Sequence, residues 1–200
     1  RSTAGAPKKN YGFELWDASN QDKDVSILGL PAESDWVLYA PYSFDRALIN
    51  NAFIHELSRR IGRYAVRTRF VEVFVNASRD KKVSRQDYVG LYILMEKIKR
   101  GPDRVDIAGL DLWETGESVI SGGYMLKIDR PDSGDSGFRT ARGNPTYGDG
   151  TFCYVSPKEE EITQAQSDWI RSYLDTFEDA LYGPNSADPI LGYAPFIDVG

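Results

Sequence analysis

The groups best suited to chemistry in this chain are the adjacent lysines Lys8 and Lys9, the acidic Glu56 within an apolar-striped segment, and the pair Met95-Glu96 ending an apolar run. The lysines follow Arg1, Ser2, Thr3 and Gly5, a small, flexible and cationic entry. Hydroxyls, backbone amides and an ammonium are the groups that cradle a polyphosphate. A phosphoryl-transfer lobe needs a lysine on phosphate, a helix carboxylate to hold that lysine, and two further strands leading to an adenine-binding connection. Lysines, Glu56 and Met95-Glu96 come in that order, an order that many α+β domains share. A frayed basic terminus beside a strand is the plainer account of the opening residues.

Other constellations carry less. Gly134-Asp135-Ser136-Gly137 with the single histidine, His55, mimics a serine-hydrolase order, yet Phe138 follows where such proteases have glycine. A flexible Gly/Ser/Asp loop is the better reading. Asp132 and Asp135 lack the alternating ligand series and distal Glu of a calcium loop. Asn76-Ala77-Ser78 matches an N-glycosylation acceptor, a pattern short enough to arise by chance. Neither G-x-x-x-x-G-K-[ST] nor G-x-G-x-x-G is present, which removes the usual nucleotide-loop signals but leaves phosphate binding by other means open.

The elements that must position these groups follow from periodicity. Tyr11 to Leu15 alternates as a half-buried strand, and Trp36 to Ala40 is a short apolar run that Pro41 ends. Ser43 as cap and Gly62 as stop predict a helix over 44 to 61, with Leu48, Ala52, Phe53, Leu57 and Ile61 as one buried stripe. Arg67 to Val75 and Tyr88 to Ile98 predict two antiparallel strands joined by the charged insert Asn76 to Asp87. Gly122 to Asp129 and Thr151 to Val155 read as further strands, separated by a Gly-rich loop over 131 to 150. Thr163 with Gln166 makes a capping box that opens a second helix stopping at Gly183.

The 200 residues carry 24 Lys and Arg against 30 Asp and Glu, a net charge of −6, which argues against a nucleic-acid partner whose binding would rest on basic residues. Cys153 is the only cysteine, so no intrachain disulfide forms and the redox compartment stays open. The single histidine excludes multi-histidine metal motifs. No run approaches the roughly 18 apolar residues of a membrane span. The opening Arg1, without signal peptide or initiator Met, reads as the cut end of a longer polypeptide.

Several long segments, in order, resemble the CotH family of spore-coat-type atypical protein kinases found in bacterial surface and coat proteins. They are KKNYGFEL (Lys8 to Leu15), the run from Leu28 to Gly62, RFVEVFVN (Arg69 to Asn76), YVGLYILMEKIKR (Tyr88 to Arg100), GGYMLKID (Gly122 to Asp129), YVSPKEEEITQAQ (Tyr154 to Gln166) and GYAPFIDV ending at Val199. The resemblance covers nearly the whole chain. It implies an α+β, kinase-like amino-terminal lobe with an antiparallel sheet, a packed αC-like helix and a second helix toward the C-terminus, all within one partial domain (1 to 100 lobe-like, 101 to 200 linking). It implies ATP and Mg²⁺ or Mn²⁺ as cofactors, and a coat or surface protein phosphorylated on Ser or Thr as partner. An exported, surface or spore-coat location goes with it.

Carried over by position, Arg1 to Lys9 resembles the end of the nucleotide-covering loop, with Lys9 the first choice for the phosphate lysine and Lys8 the second. Glu56 becomes the helix carboxylate paired with that lysine, and Met95 to Lys97, including Glu96, the adenine side. Lys127 and Asp129 match a family strand to which no role attaches. Where the family has Asn-Gly, Ala77 follows Asn76 and a charged insert enlarges the hairpin. The family's catalytic and metal-binding aspartates are expected beyond Gly200, so the resemblance implies a chain inert by itself. Two rivals stand beside this reading. One is a non-catalytic coat-assembly module that uses the insert 78 to 87 and the loop 131 to 150 for partners. The other is a carbohydrate-binding domain, made weaker because most aromatics fall on core stripes.

Overall fold

A computed structural model describes residues 5–42, 45–78, 82–128, 134–143 and 150–198. Arg1, Ser2, Thr3, the cap Ser43, Asp129, Asp132 and Gly200 therefore lie outside the described residues. The chain is α+β and divides into two compact units, Arg1–Ile98 with Asp103–Val105, and Lys99–Pro102 with Asp106–Gly200.

The first unit is built on an antiparallel sheet of β1 (Tyr11–Glu14), β2 (Asp35–Tyr39), β3 (Thr68–Phe74) and β4 (Tyr88–Glu96), in the order β1-β2-β4-β3. The longest apolar run becomes the inner strand β4, where Tyr92, Ile93 and Leu94 are all buried because both faces of an inner strand can be covered. Leu30, Trp36 and Leu94 form the core, with Phe13, Leu15, Ile27, Leu38 and Val71 packed against them. The Trp36 indole N–H donates to the Glu33 carbonyl (2.9 Å), so its burial leaves no orphan donor. The charged insert connects β3 to its antiparallel partner β4. Ser84 caps a short turn over Arg85–Asp87, and the Asp87 carboxylate accepts the Ser84 N–H at 2.7 Å.

Helix α1 (Asn50–Arg60) begins six residues later than the sequence predicts. Residues 45–49 form a turn instead. The Asp45 carbonyl accepts the Leu48 N–H (3.0 Å), Leu48 adopts a left-handed φ of 59°, and the buried Asp45 carboxylate accepts the Asn50 N–H (3.0 Å). Asp45 thus caps the helix from five residues upstream. The predicted buried stripe is also corrected. Ala52 alone is buried, while Phe53 is 62% and Ile61 70% exposed and Leu57 is exposed too. Apolar spacing places residues on one face; it does not supply the surface that covers it. Gly62 follows the helix at φ 87°, as predicted for its stop.

The second unit pairs β5 (Met125–Ile128), β6 (Gly137–Phe138) and β7 (Phe152–Ser156) in the order β5-β7-β6 and adds α2 (Gln164–Tyr182). The Thr163 hydroxyl accepts the Gln166 N–H (3.2 Å) and the Gln166 side-chain oxygen accepts the Thr163 N–H (2.9 Å), the capping box read from sequence. Gln166 is fully buried, and its amide also donates to the Asp111 and Glu114 carbonyls at 2.8 and 3.0 Å. Tyr124, Trp169 and Tyr173 stack in series with centroids 5.7 and 5.3 Å apart, so these aromatics serve the interior. No helix among the described residues is long and apolar enough to cross a membrane.

Candidate functional site

The first unit carries a cleft of about 530 Å³ over β1 and β2. The register sets Gly12 opposite Val37, Glu14 opposite Asp35 and Val37 opposite Met95. Strand alternation puts these five on one face of the sheet. Gly12 leaves the floor open, since a Cβ there would meet nothing within 4 Å. Trp16, 57% exposed, stands at the rim. Lys97, one residue past β4, enters the same cleft and donates to the Asp35 carboxylate at 2.9 Å. A mainly apolar floor with an ammonium and two carboxylates at its edge suits a flat heterocycle whose polar rim needs both donors and acceptors.

Met95 shares the floor's face, but Glu96 does not. The Glu96 side chain is fully buried, and its carboxylate accepts from the Arg67 guanidinium (2.8 Å), the Arg67 backbone N–H (2.8 Å), Arg104 (2.9 Å) and the Tyr64 hydroxyl. Arg104, only 2% exposed, lies over the Trp36 ring at 5.9 Å. This network ties the short segment around Arg104 to the end of β4.

Lys8 is engaged on the opposite face. Its ammonium donates to the Leu91 carbonyl, lies 4.5 Å from the Tyr92 ring centroid and fills the space beside Gly90, whose φ of 107° suits glycine. Burial holds its pKa below the usual lysine range. The reason lies in Pro41. Carried on two residues past Tyr39 opposite Ile93, the β2–β4 register sets Pro41 opposite Leu91, and proline has no N–H to give that carbonyl. Lys9 is exposed and has no hydrogen bond or ion pair among the described residues.

Glu56 is half-exposed and is taken by Arg59 and Arg60 of its own helix, whose hydrogen bonds hold its pKa down. The structure therefore brings neither lysine to Glu56. His55 lies beside Glu56, its pKa lowered by burial and by Arg59. In the second unit Lys127 pairs with Asp135 at 2.6 Å, which commits a carboxylate that a calcium loop would need. Among the described residues no three His, Cys, Asp or Glu converge as a metal site.

Sequence reasoning missed Gly12, Glu14, Trp16 and Asp35. Gly12 was the available signal. A glycine between Tyr11 and Phe13 in an alternating strand marks a place where something approaches the backbone closely.

No curated protein and no solved structure matches the chain significantly. A family model described as CotH kinase protein matches residues 1–200, the whole length, which agrees with the resemblance carried by the strand and helix segments above. The chain belongs to the CotH kinase protein family.

Proposed function

We propose that this chain is a nucleotide-binding portion of an atypical protein kinase, acting with ATP and Mg²⁺ or Mn²⁺ on Ser or Thr of a coat or surface protein. The observation that carries the reading is the cleft over Gly12 and Val37, open at the exit of β4 where Lys97 stands. Strand β2, helix α1, β3 and β4 follow one another as the strands and αC helix of a kinase amino-terminal lobe do. The adenine lies on the glycine floor with Trp16 and Lys97 at its edges. Among the two lysines, Lys9 is the one for phosphate, because the Lys8 ammonium is spent on Leu91. Strand β2, which leads into α1, contains no lysine, and this reading therefore takes the phosphate cation from the chain preceding β1. Catalysis in such a site is positioning and charge neutralisation rather than covalent chemistry.

Calorimetric titration of ATP, with Mg²⁺ and then Mn²⁺, into the chain and its Gly12→Val variant tests this. Valine fits the strand and finds open space, so the fold is kept while the floor is filled. Saturable binding abolished by Gly12→Val and weakened by Lys9→Ala is the expected result. Equal binding by wild type and Gly12→Val overturns the site.

A further inference from the structure

The second unit holds a separate polar cavity of about 360 Å³ between β6, β7 and the first two turns of α2. Two of its polar lining groups are spent. Thr163 caps α2, and the Gln164 amide donates to Asp168 at 2.8 Å. Four features are not. The Arg171 guanidinium lies 5.4 Å over the Phe138 ring and has no hydrogen bond or ion pair among the described residues. Glu159 likewise has no side-chain partner. The Ser136 hydroxyl oxygen is shut from solvent and has no hydrogen-bond partner among the described residues. The Tyr154 and Ser167 hydroxyls, 2.6 Å apart, use one proton between them and keep the other.

Each of these limits the ligand. An exposed guanidinium placed over a ring is a ready fork for a carboxylate or phosphate. Glu159 lines the same cavity, so a dianion is opposed and a ligand donor group is welcomed. Phe138 is 3% exposed and stacked against Phe152 (5.8 Å), so no bare ring is offered for a base or a sugar face to stack on. A buried hydroxyl without a partner is costly, and a ligand oxygen or hydroxyl would satisfy it. The volume sits at the small end of ligand pockets.

We propose that this cavity binds a small carboxylate carrying a hydrogen-bond donor, a hydroxy acid or an amino acid. The carboxylate meets Arg171, the donor meets Glu159, and Ser136 takes the oxygen nearest β6. The inference stands apart from the nucleotide reading, since it concerns other residues in the other unit.

The test is titration of the whole chain with L-lactate and L-serine, using glycerol and inorganic phosphate as controls and calorimetry as the readout. Saturable binding of a carboxylate below about 10 mM, with the controls silent, is expected. Arg171→Gln weakens it about 10- to 100-fold, the loss expected for a charge-assisted hydrogen bond. Ser136→Ala and Glu159→Gln weaken it as well and carry the test if Arg171→Gln fails to fold. No saturable binding of either carboxylate, binding indifferent to these substitutions, or preference for phosphate or glycerol each overturns the proposal.

Discussion

Replacing Glu96 with alanine is expected to destabilise the first unit strongly without touching the cleft floor. The carboxylate is fully buried, 2.8 Å from Arg67 and 2.9 Å from Arg104, and Arg104 is itself 2% exposed. At an effective dielectric near 20, unit charges about 4 Å apart attract by about 4 kcal/mol, an attraction largely offset by the cost of burying them. Removing one partner leaves that burial cost standing, typically about 3–5 kcal/mol. Arg67 is a third exposed and can turn to water, so Arg104 bears most of the loss. Against a total stability of about 5–15 kcal/mol, the change is large. With a urea slope of about 2 kcal/mol per molar, the midpoint falls by about 1.5–2.5 M. Urea unfolding followed by tryptophan fluorescence reads it, since the buried Trp36 ring lies under Arg104. Glu96→Gln keeps the shape without the charge and should fall between. A shift below about 0.5 M in Glu96→Ala would refute the network as the anchor of β4.

The two lysines should separate cleanly. Lys8→Met loses about 1–3 kcal/mol of stability in denaturant titration, through the Leu91 carbonyl and the Tyr92 ring, and leaves ATP affinity unchanged; Lys9→Ala does the reverse. His55 has a pKa held below 6.5 by burial and Arg59, so the unfolded chain takes up the proton first. Stability therefore falls as pH drops through 6.5 toward the lowered folded value, and His55→Gln flattens that slope in thermal melts across pH 5 to 7. Thr163→Ala removes the cap of α2 and costs about 1 kcal/mol by urea denaturation.

The strands were legible because alternation and a long apolar run are local properties, and β1 to β4 lie within a residue or two of the predicted segments. The capping box of α2 was legible for the same reason. The start of α1 was not, because a buried carboxylate five residues upstream made a turn that no short-range pattern encodes. Which of the two lysines is engaged by the fold was not legible. The sequence offers two cations, and only the tertiary hydrogen bond from Lys8 to the Leu91 carbonyl shows which of them is occupied. Glu96 ends β4, yet alternation turns its side chain away from the cleft, while the neighbouring Lys97 enters it.

The most direct test of the nucleotide site is an amide NMR titration of the isotope-labelled chain with ATP. The account predicts perturbations concentrated at Gly12, Glu14, the Asp35–Val37 stretch of β2 and Lys97, with Trp16 at the rim and α2 silent. Perturbations centred elsewhere, or none under saturating ATP with Mg²⁺ or Mn²⁺, would contradict it.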